Sequence, residues 1–305
     1  MKVKTVNGIT KYECGTNEEW RAERANSIGA SAVGAIIGED YFKTPMQVAV
    51  TMREELNGNF NYEENEAMSL GHDLEGGVAA HFQRLSGYQI IEASAAETIL
   101  RRDDLPFMHA SLDRTYWIDN NGAKHGKRAE QNKGVLECKT TRLSSIDEDN
   151  IPIKWIFQLQ VQMGISGYHH GHIAVLSLTT GKFFYQYFDF DPEIFYAAVE
   201  VCRDFWNRCI IGGEDPEPVS VADYQRLYPI HTIGKTMTVV QSTSDTLAEI
   251  KELNDTKKEL EAEIDRMKDS IKMQFTDEEA MVDTTGRILA TYKTNSKGQR
   301  TLLIK

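Results

Sequence analysis

Gly134-Val135-Leu136-Glu137-Cys138-Lys139-Thr140 reads as a strand, because apolar and β-branched residues dominate a short run. Alternate side chains of a strand share a face, so Glu137 and Lys139 point the same way. Upstream, residues 107–118 form a second apolar segment with β character, holding Ala110-Ser111-Leu112-Asp113. Residues 119–133 are rich in Asn, Gly, Lys and Arg and read as an exposed hairpin loop. A hairpin joining the two segments brings Asp113 beside Glu137. Two carboxylates on neighbouring strands suit a hard divalent cation such as Mg²⁺. A lysine beside the cation can orient a water nucleophile or help deprotonate it. The competing reading makes Glu137 and Lys139 surface residues of an edge strand. Glu249-Ile250-Lys251 repeats the Glu-x-Lys spelling, but on a helix residues i and i+2 do not face each other.

Helices surround these strands. Thr44-Pro45 reads as a helix start, with threonine as cap and proline at the first helical position, and the helix runs to Leu56. Leu70, Leu74, Val78, Phe82 and Leu85 recur at helical spacing over residues 67–85, with Gly87 as the stop and Glu75 beside the stripe. Residues 154–166 form a helix stopped by Gly167; on it Gln158 and Gln162 share a face. Strands are expected at 172–178 and 182–190. Asp191-Pro192 opens a helix ending near Gly212-Gly213. The first 25 residues are polar and mixed. The small-residue run from Ser27 to Gly38 lets a backbone approach a helix or ligand closely. The order of helices and strands gives an α/β (α+β) fold with a mixed sheet flanked by helices.

With 305 residues, 41% hydrophobic and 26% charged, the chain can build a packed core and is not disordered throughout. No apolar run reaches the roughly 18 residues of a membrane span, and the start lacks a signal-peptide pattern. The spacing of Cys14, Cys138, Cys202 and Cys209 fits neither a zinc nor an iron–sulfur site. A reduced, cytoplasmic protein is expected. The net charge of −12 argues against nonspecific coating of nucleic acid, but not against a nuclease that uses carboxylates to hold cations. Lys124, His125, Lys127, Arg128 and Lys133 make the loop locally basic, as a track for DNA or as a solvated surface.

Three segments are expected: residues 1–215, a linker at 216–240, and 241–305. In the last, Ile250, Leu253, Lys257, Leu260, Ile264, Met267 and Ile271 follow heptad spacing. That helix either packs on its own globular unit or forms a coiled coil or partner-binding surface. A terminal hairpin follows. Its Arg287, Lys293, Lys297, Arg300 and Lys305 outweigh Asp283, for contact with phosphate or partner or as a solvated surface.

Several motifs in consistent order resemble the YqaJ-type viral recombinase, phage lambda exonuclease-like family of the PD-(D/E)xK nuclease superfamily. Arg24 stands seven residues before Ser31, as in the family's N-terminal motif. Phe42-Lys43-Thr44-Pro45 resembles its Y-K-T-P helix start, and Gly71 to Glu75 its G-x-x-x-E. Met108 to Asp113 resembles M-x-A-S-x-D-G, and Leu136-Glu137-Cys138-Lys139-Thr140 resembles L-E-I/C-K-T. Gln158 to Met163 resembles Q-x-Q-x-x-M. Arg114 departs from the pattern, which often has glycine there.

The resemblance implies a restriction-endonuclease-like fold and a Mg²⁺-dependent 5′→3′ exonuclease, with Mn²⁺ substituting and one or two ions per site. Such an enzyme acts on double-stranded DNA ends, releases mononucleotides and leaves 3′ overhangs for a single-strand annealing recombinase. Asp113, Glu137 and the Cys138 carbonyl would hold metal, Glu75 would serve a second ion or its water, and Lys139 would position the attacking water. Arg24, Ser31, Ser111 and Gln158 would hold the 5′-terminal phosphate. A homo-oligomer, as a trimeric ring, is implied as well. The alternatives are an endonuclease or other end-processing nuclease of the superfamily, and a non-catalytic DNA-end or recombinase-binding module. His72 and His109 read as structural histidines; Trp155, Phe205 and Trp206 read as packing aromatics.

Overall fold

The computed structural model describes residues 1–60, 65–91, 98–118 and 132–305. The basic loop residues Lys124, His125, Lys127 and Arg128 lie outside them. The chain forms two compact units, Met1–Pro229 and Ile230–Lys305.

The first unit begins with β1 (Lys2–Val6) and β2 (Ile9–Glu13), then α1 (Asn17–Ala25), β3 (Ile28–Gly29) and the short α2 (Val33–Ile36). Next come α3 (Pro45–Leu56), α4 (Glu66–Ser86), β4 (Gln89–Ile91), β5 (Thr98–Arg102) and β6 (Met108–His109). β7 (Arg114–Trp117) and β8 (Lys133–Thr141) form the hairpin, followed by α5 (Ile153–Ser166), β9 (His170–Ser177) and β10 (Phe183–Asp189). α6 (Pro192–Phe205) runs on into a π-helical turn at Trp206–Ile211, and α7 (Val221–Leu227) ends the unit.

Capping explains the helix limits. Thr44 and Gln47 form a reciprocal capping box at α3, with Pro45 in its first turn. Gly87 and Gly167 close α4 and α5 at φ 73° and 76°, a left-handed conformation that glycine adopts without a Cβ penalty. The N-terminal hairpin departs from the polar, mixed reading. Val6-Asn7-Gly8-Ile9 makes a two-residue turn with φ 52° at Asn7 and 75° at Gly8, the conformation that favours Asn-Gly between paired strands. α7 departs from the expected linker 216–240. Asp223 is buried, accepts from Thr44 Oγ1 at 2.9 Å and caps its own helix with Ser220, so this stretch belongs to the first unit.

The main sheet has the order β10-β9-β8-β7-β4. β8 and β9 are parallel and joined through α5, while the other pairings are antiparallel. This is the mixed sheet flanked by helices that the sequence implies. Strand alternation separates its faces. Val135, Ile173 and Val175 join the large core with α5 and α6, whereas Leu136, Tyr116 and Ala174 pack with Val78, Ala79 and Phe82 of α4. Phe205 lies in the large core, and Trp155 and Trp206 pack against it. A smaller sheet, β1-β2-β5, stands apart.

In the second unit, α8 (Gln241–Lys272) is followed by β11 (Ala280–Val282), β12 (Ile288–Thr294) and β13 (Arg300–Ile304), an antiparallel sheet. The expected terminal hairpin is β12–β13. No residue of α8 is buried. Among the described residues no helix is long and apolar enough to cross a membrane.

Candidate active site

Arg114 pairs with Leu136 in the last register of the β7–β8 ladder, which sets Asp113 opposite Glu137 at the ladder's end. Asp113 Oδ2 accepts from the Cys138 backbone N–H at 2.8 Å. The N–H and C=O of one strand residue leave on the same edge, so the Cys138 carbonyl faces the edge that Asp113 occupies. Glu137 is 1% exposed. Its Oε1 accepts from Gln158 Nε2 at 2.6 Å and meets Lys139 Nζ at 2.5 Å; its Oε2 accepts from Gln162 Nε2 at 2.6 Å. Lys139 in turn donates to Gln158 Oε1 at 3.1 Å. The hairpin and the i, i+4 spacing on α5 therefore bring Asp113, Glu137, Lys139, Gln158 and Gln162 together.

The electrostatics follow from burial. Desolvation, then the neighbouring Glu137, push the Asp113 carboxyl well above the usual carboxylate range, with Glu75 adding to the effect and Lys139 opposing it. Burial works against the Lys139 ammonium, but Glu137 and Asp113 outweigh it, and its pKa is raised. Lys139 is thus a cation at neutral pH. The Cys138 thiol is pushed up, by burial first and then by Asp113 and Glu137, which makes it a poor thiolate ligand.

Glu75 arrives from α4 on the other face of the sheet. Arg114 has the strand parity of Tyr116, so it points toward α4 and meets Glu75 Oε1 at 2.5 Å. The same guanidinium donates to the Asp113 carbonyl at 2.5 Å. The residue that departs from the family pattern therefore ties Glu75 to Asp113. Among the described residues no group of three or more His, Cys, Asp or Glu side chains lies close enough to hold a metal ion. Among the described residues the acids brought together on the α5 face are Asp113 and Glu137.

The expected phosphate ligands divide. Gln158 lies within the acid cluster. Ser111 is joined to it through its carbonyl, which accepts from Gln162 Nε2 at 3.1 Å, and its hydroxyl is buried without a hydrogen-bond partner among the described residues. Arg24 stacks on Trp20, 4.3 Å from the ring centroid, and its Nη2 lies 3.7 Å from where a Gly29 side chain would begin. Ser31 is exposed on the turn that follows Gly29. β3 and β6 pair Gly29 with His109, two residues before Ser31 and Ser111 respectively. His109 is buried in a hydrogen-bonded chain: Arg101 donates to Ser27 Oγ at 2.9 Å, and Ser27 Oγ lies 2.9 Å from His109 Nδ1. Burial, then Arg24 and Arg101, keep this ring neutral. His72 is exposed. Gln162 and Arg114 are the residues that sequence reasoning underrated. The spacing of Gln162 from Gln158 was a signal; for Arg114 the departure from glycine marked the position but not its contact with Glu75.

The sequence pattern of the YqaJ-like viral recombinase domain matches residues 19–169. Residues 19–169 are therefore similar to that domain. It is 28% identical over 221 residues to the uncharacterized protein YqaJ of Bacillus subtilis (strain 168), a match covering 71% of this chain. The chain spans 63% of that relative's length. The solved structure of LHK-Exo in complex with dAMP is similar in fold, with a TM-score of 0.52 at 16% identity, over 70% of this chain and 98% of that one. The alkaline exonuclease LHK-Exo from Laribacter hongkongensis gives a TM-score of 0.50 at 18% identity, over 64% and 93%. The YqaJ-like region thus contains the β7–β8 hairpin and α5, and with them every residue of the acid cluster.

Proposed function

We propose that this chain is a Mg²⁺-dependent exonuclease that degrades one strand of duplex DNA from a 5′ end. It releases mononucleotides and leaves a 3′ single strand for an annealing recombinase. The observation that carries the reading is the convergence of Asp113 and Glu137 beside Lys139, with Glu137 held by two glutamine amides. The fold likeness to a protein described as an alkaline exonuclease, and seen with dAMP, supports the reaction class.

The donor set fits a hard cation. Two carboxylates and a strand carbonyl offer oxygen only, and burial first, then the neighbouring Glu137, disfavour the charged form of Asp113, a cost that a bound cation would offset. In this proposal Asp113, Glu137 and the Cys138 carbonyl hold the ion, and Mn²⁺ substitutes. When bound, the ion supplies Lewis-acid polarisation of the phosphate and lowers the pKa of water. Lys139 donates to the attacking water or to a phosphate oxygen and offsets the charge that builds on it. Gln158 and Gln162 keep Glu137 oriented. Glu75 serves a second ion or its water shell after leaving Arg114. Arg24, Ser31, Ser111 and Gln158 hold the terminal phosphate, where the guanidinium can bind bidentately.

The test uses the full chain, Mg²⁺ and linear duplex with a 5′-phosphate or a 5′-hydroxyl, beside covalently closed circles. Mononucleotides released from the 5′-phosphorylated ends, with 3′ strands left behind, are expected. Cutting of closed circles would indicate an endonuclease. Metal-independent binding without hydrolysis would indicate a non-catalytic module. Full activity of Lys139→Ala would refute the assignment.

A further inference from the structure

We infer that α8 pairs, parallel and in register, with α8 of a second copy of this chain. Ile250, Leu253, Lys257, Leu260, Ile264, Met267 and Ile271 form one stripe at alternating three- and four-residue steps, apolar except at Lys257, with the 3.5-residue period of a left-handed two-helix seam. Among the described residues most of the stripe is uncovered, with Leu253 62% exposed and Leu260 54%; only Ile271 at its end is half-buried. Its helix spans 32 residues, about 48 Å at 1.5 Å per residue, so the seam of about three heptads fits within it.

Three features select a second copy and the number two. Isoleucine fills the first core position of its heptads, at 250, 264 and 271, and leucine the second, at 253 and 260. β-branched residues at the first position with leucine at the second favour two parallel strands. Lys257 occupies the remaining first position. In a pair its long side chain can leave the seam toward the rim, where Glu261 Oε1 already lies 3.8 Å from Nζ. In a three-stranded bundle three ammonium groups would meet at the axis. Finally, Glu263 and Lys268 take the two flanking positions five residues apart. That is the spacing at which flanking residues of parallel, in-register helices meet, so each copy offers the other an opposite charge. The stripe thus complements itself. It favours two copies over the three-copy ring that the family resemblance implies, and it does not depend on the nuclease reading.

The experiment measures the mass of the full chain by light scattering and sedimentation across concentration. A two-copy species is expected, with Leu260→Asp returning it to one copy. Glu263→Lys alone weakens association, and Glu263→Lys combined with Lys268→Glu restores it, a rescue that misfolding would not produce. Lys257→Ile shifts the monomer–dimer midpoint to lower concentration. Leu253→Cys forms an oxidised two-copy band on denaturing gels. A one-copy mass at every concentration would overturn the inference. So would an assembly that Leu260→Asp leaves intact, a three-copy species that it dissolves, or a charge swap that fails to rescue.

Discussion

Gln162 donates from Nε2 to Glu137 Oε2 at 2.6 Å, and both side chains are buried. Burying a carboxylate is costly unless such partners satisfy its oxygens. Gln162→Met keeps the volume and removes the amide. Residues that orient ligand groups typically change metal affinity or activity by about 10–100-fold. A loss of that size is expected, with the activity midpoint for Mg²⁺ moved to higher concentration. The measurement is a metal titration of nuclease activity, with a thermal melt confirming the fold.

Glu75 and Arg114 meet at 2.5 Å, each side chain 21% exposed. If Glu75 acts on the reaction, Glu75→Gln lowers activity about tenfold or more, and the loss persists in an Arg114→Ala background. If Glu75 only anchors Arg114, the second substitution erases the effect of the first. The four rates of this cycle separate the two roles, and persistence is expected.

The strand parity of Glu137 and Lys139 and the stops at Gly87 and Gly167 were legible, because each depends on residues a few positions apart. The Glu249-Ile250-Lys251 decoy was dismissed by the same local logic, and it lies on a helix. The N-terminal hairpin had a signal in Asn7-Gly8 that the polar composition hid. The Arg114–Glu75 pair had none. It depends on which face of the sheet α4 covers, and that follows from core packing between segments distant in sequence. Gln162 was half legible: its face could be read from the spacing, but its role required the depth of Glu137 beneath it.

His172 lies 2.7 Å from the Tyr116 hydroxyl in the aromatic cluster beneath α4. Burial, then His170, push its pKa down to about 4 from 6.5. In the unfolded chain the ring takes up a proton near pH 6.5, whereas the folded chain refuses it until about pH 4. Unfolding therefore takes up a proton between these values, and the stability it contributes is present above pH 6.5 and lost as pH falls through that window. At pH 5 the loss is about 2 kcal/mol relative to pH 7. His172→Gln retains hydrogen-bonding capacity without this titration. Denaturant unfolding of both proteins at pH 7 and pH 5 is expected to show the steeper decline in the native sequence, which separates the His172 contribution from the opposite trend of Asp113.

Gly164 connects core packing to the acid cluster. A Cβ at this position would stand 2.3 Å from the Phe195 ring, and Phe195 is fully buried on α6. Neither side can yield cheaply, since the ring sits in the core and Gly164 lies on the helix that carries Gln158 and Gln162. Gly164→Ala must therefore shift α5 or displace Phe195, and overpacking of this kind destabilises by about 1–3 kcal/mol. A shift of α5 also lengthens the two glutamine bonds to Glu137, which are 2.6 Å each. A lower melting temperature is expected together with lower activity at saturating Mg²⁺. Phe195→Leu in the same chain makes room for the added methyl and should recover part of both. Recovery of stability without recovery of activity would mean that α5 position is not what links the packing to the site.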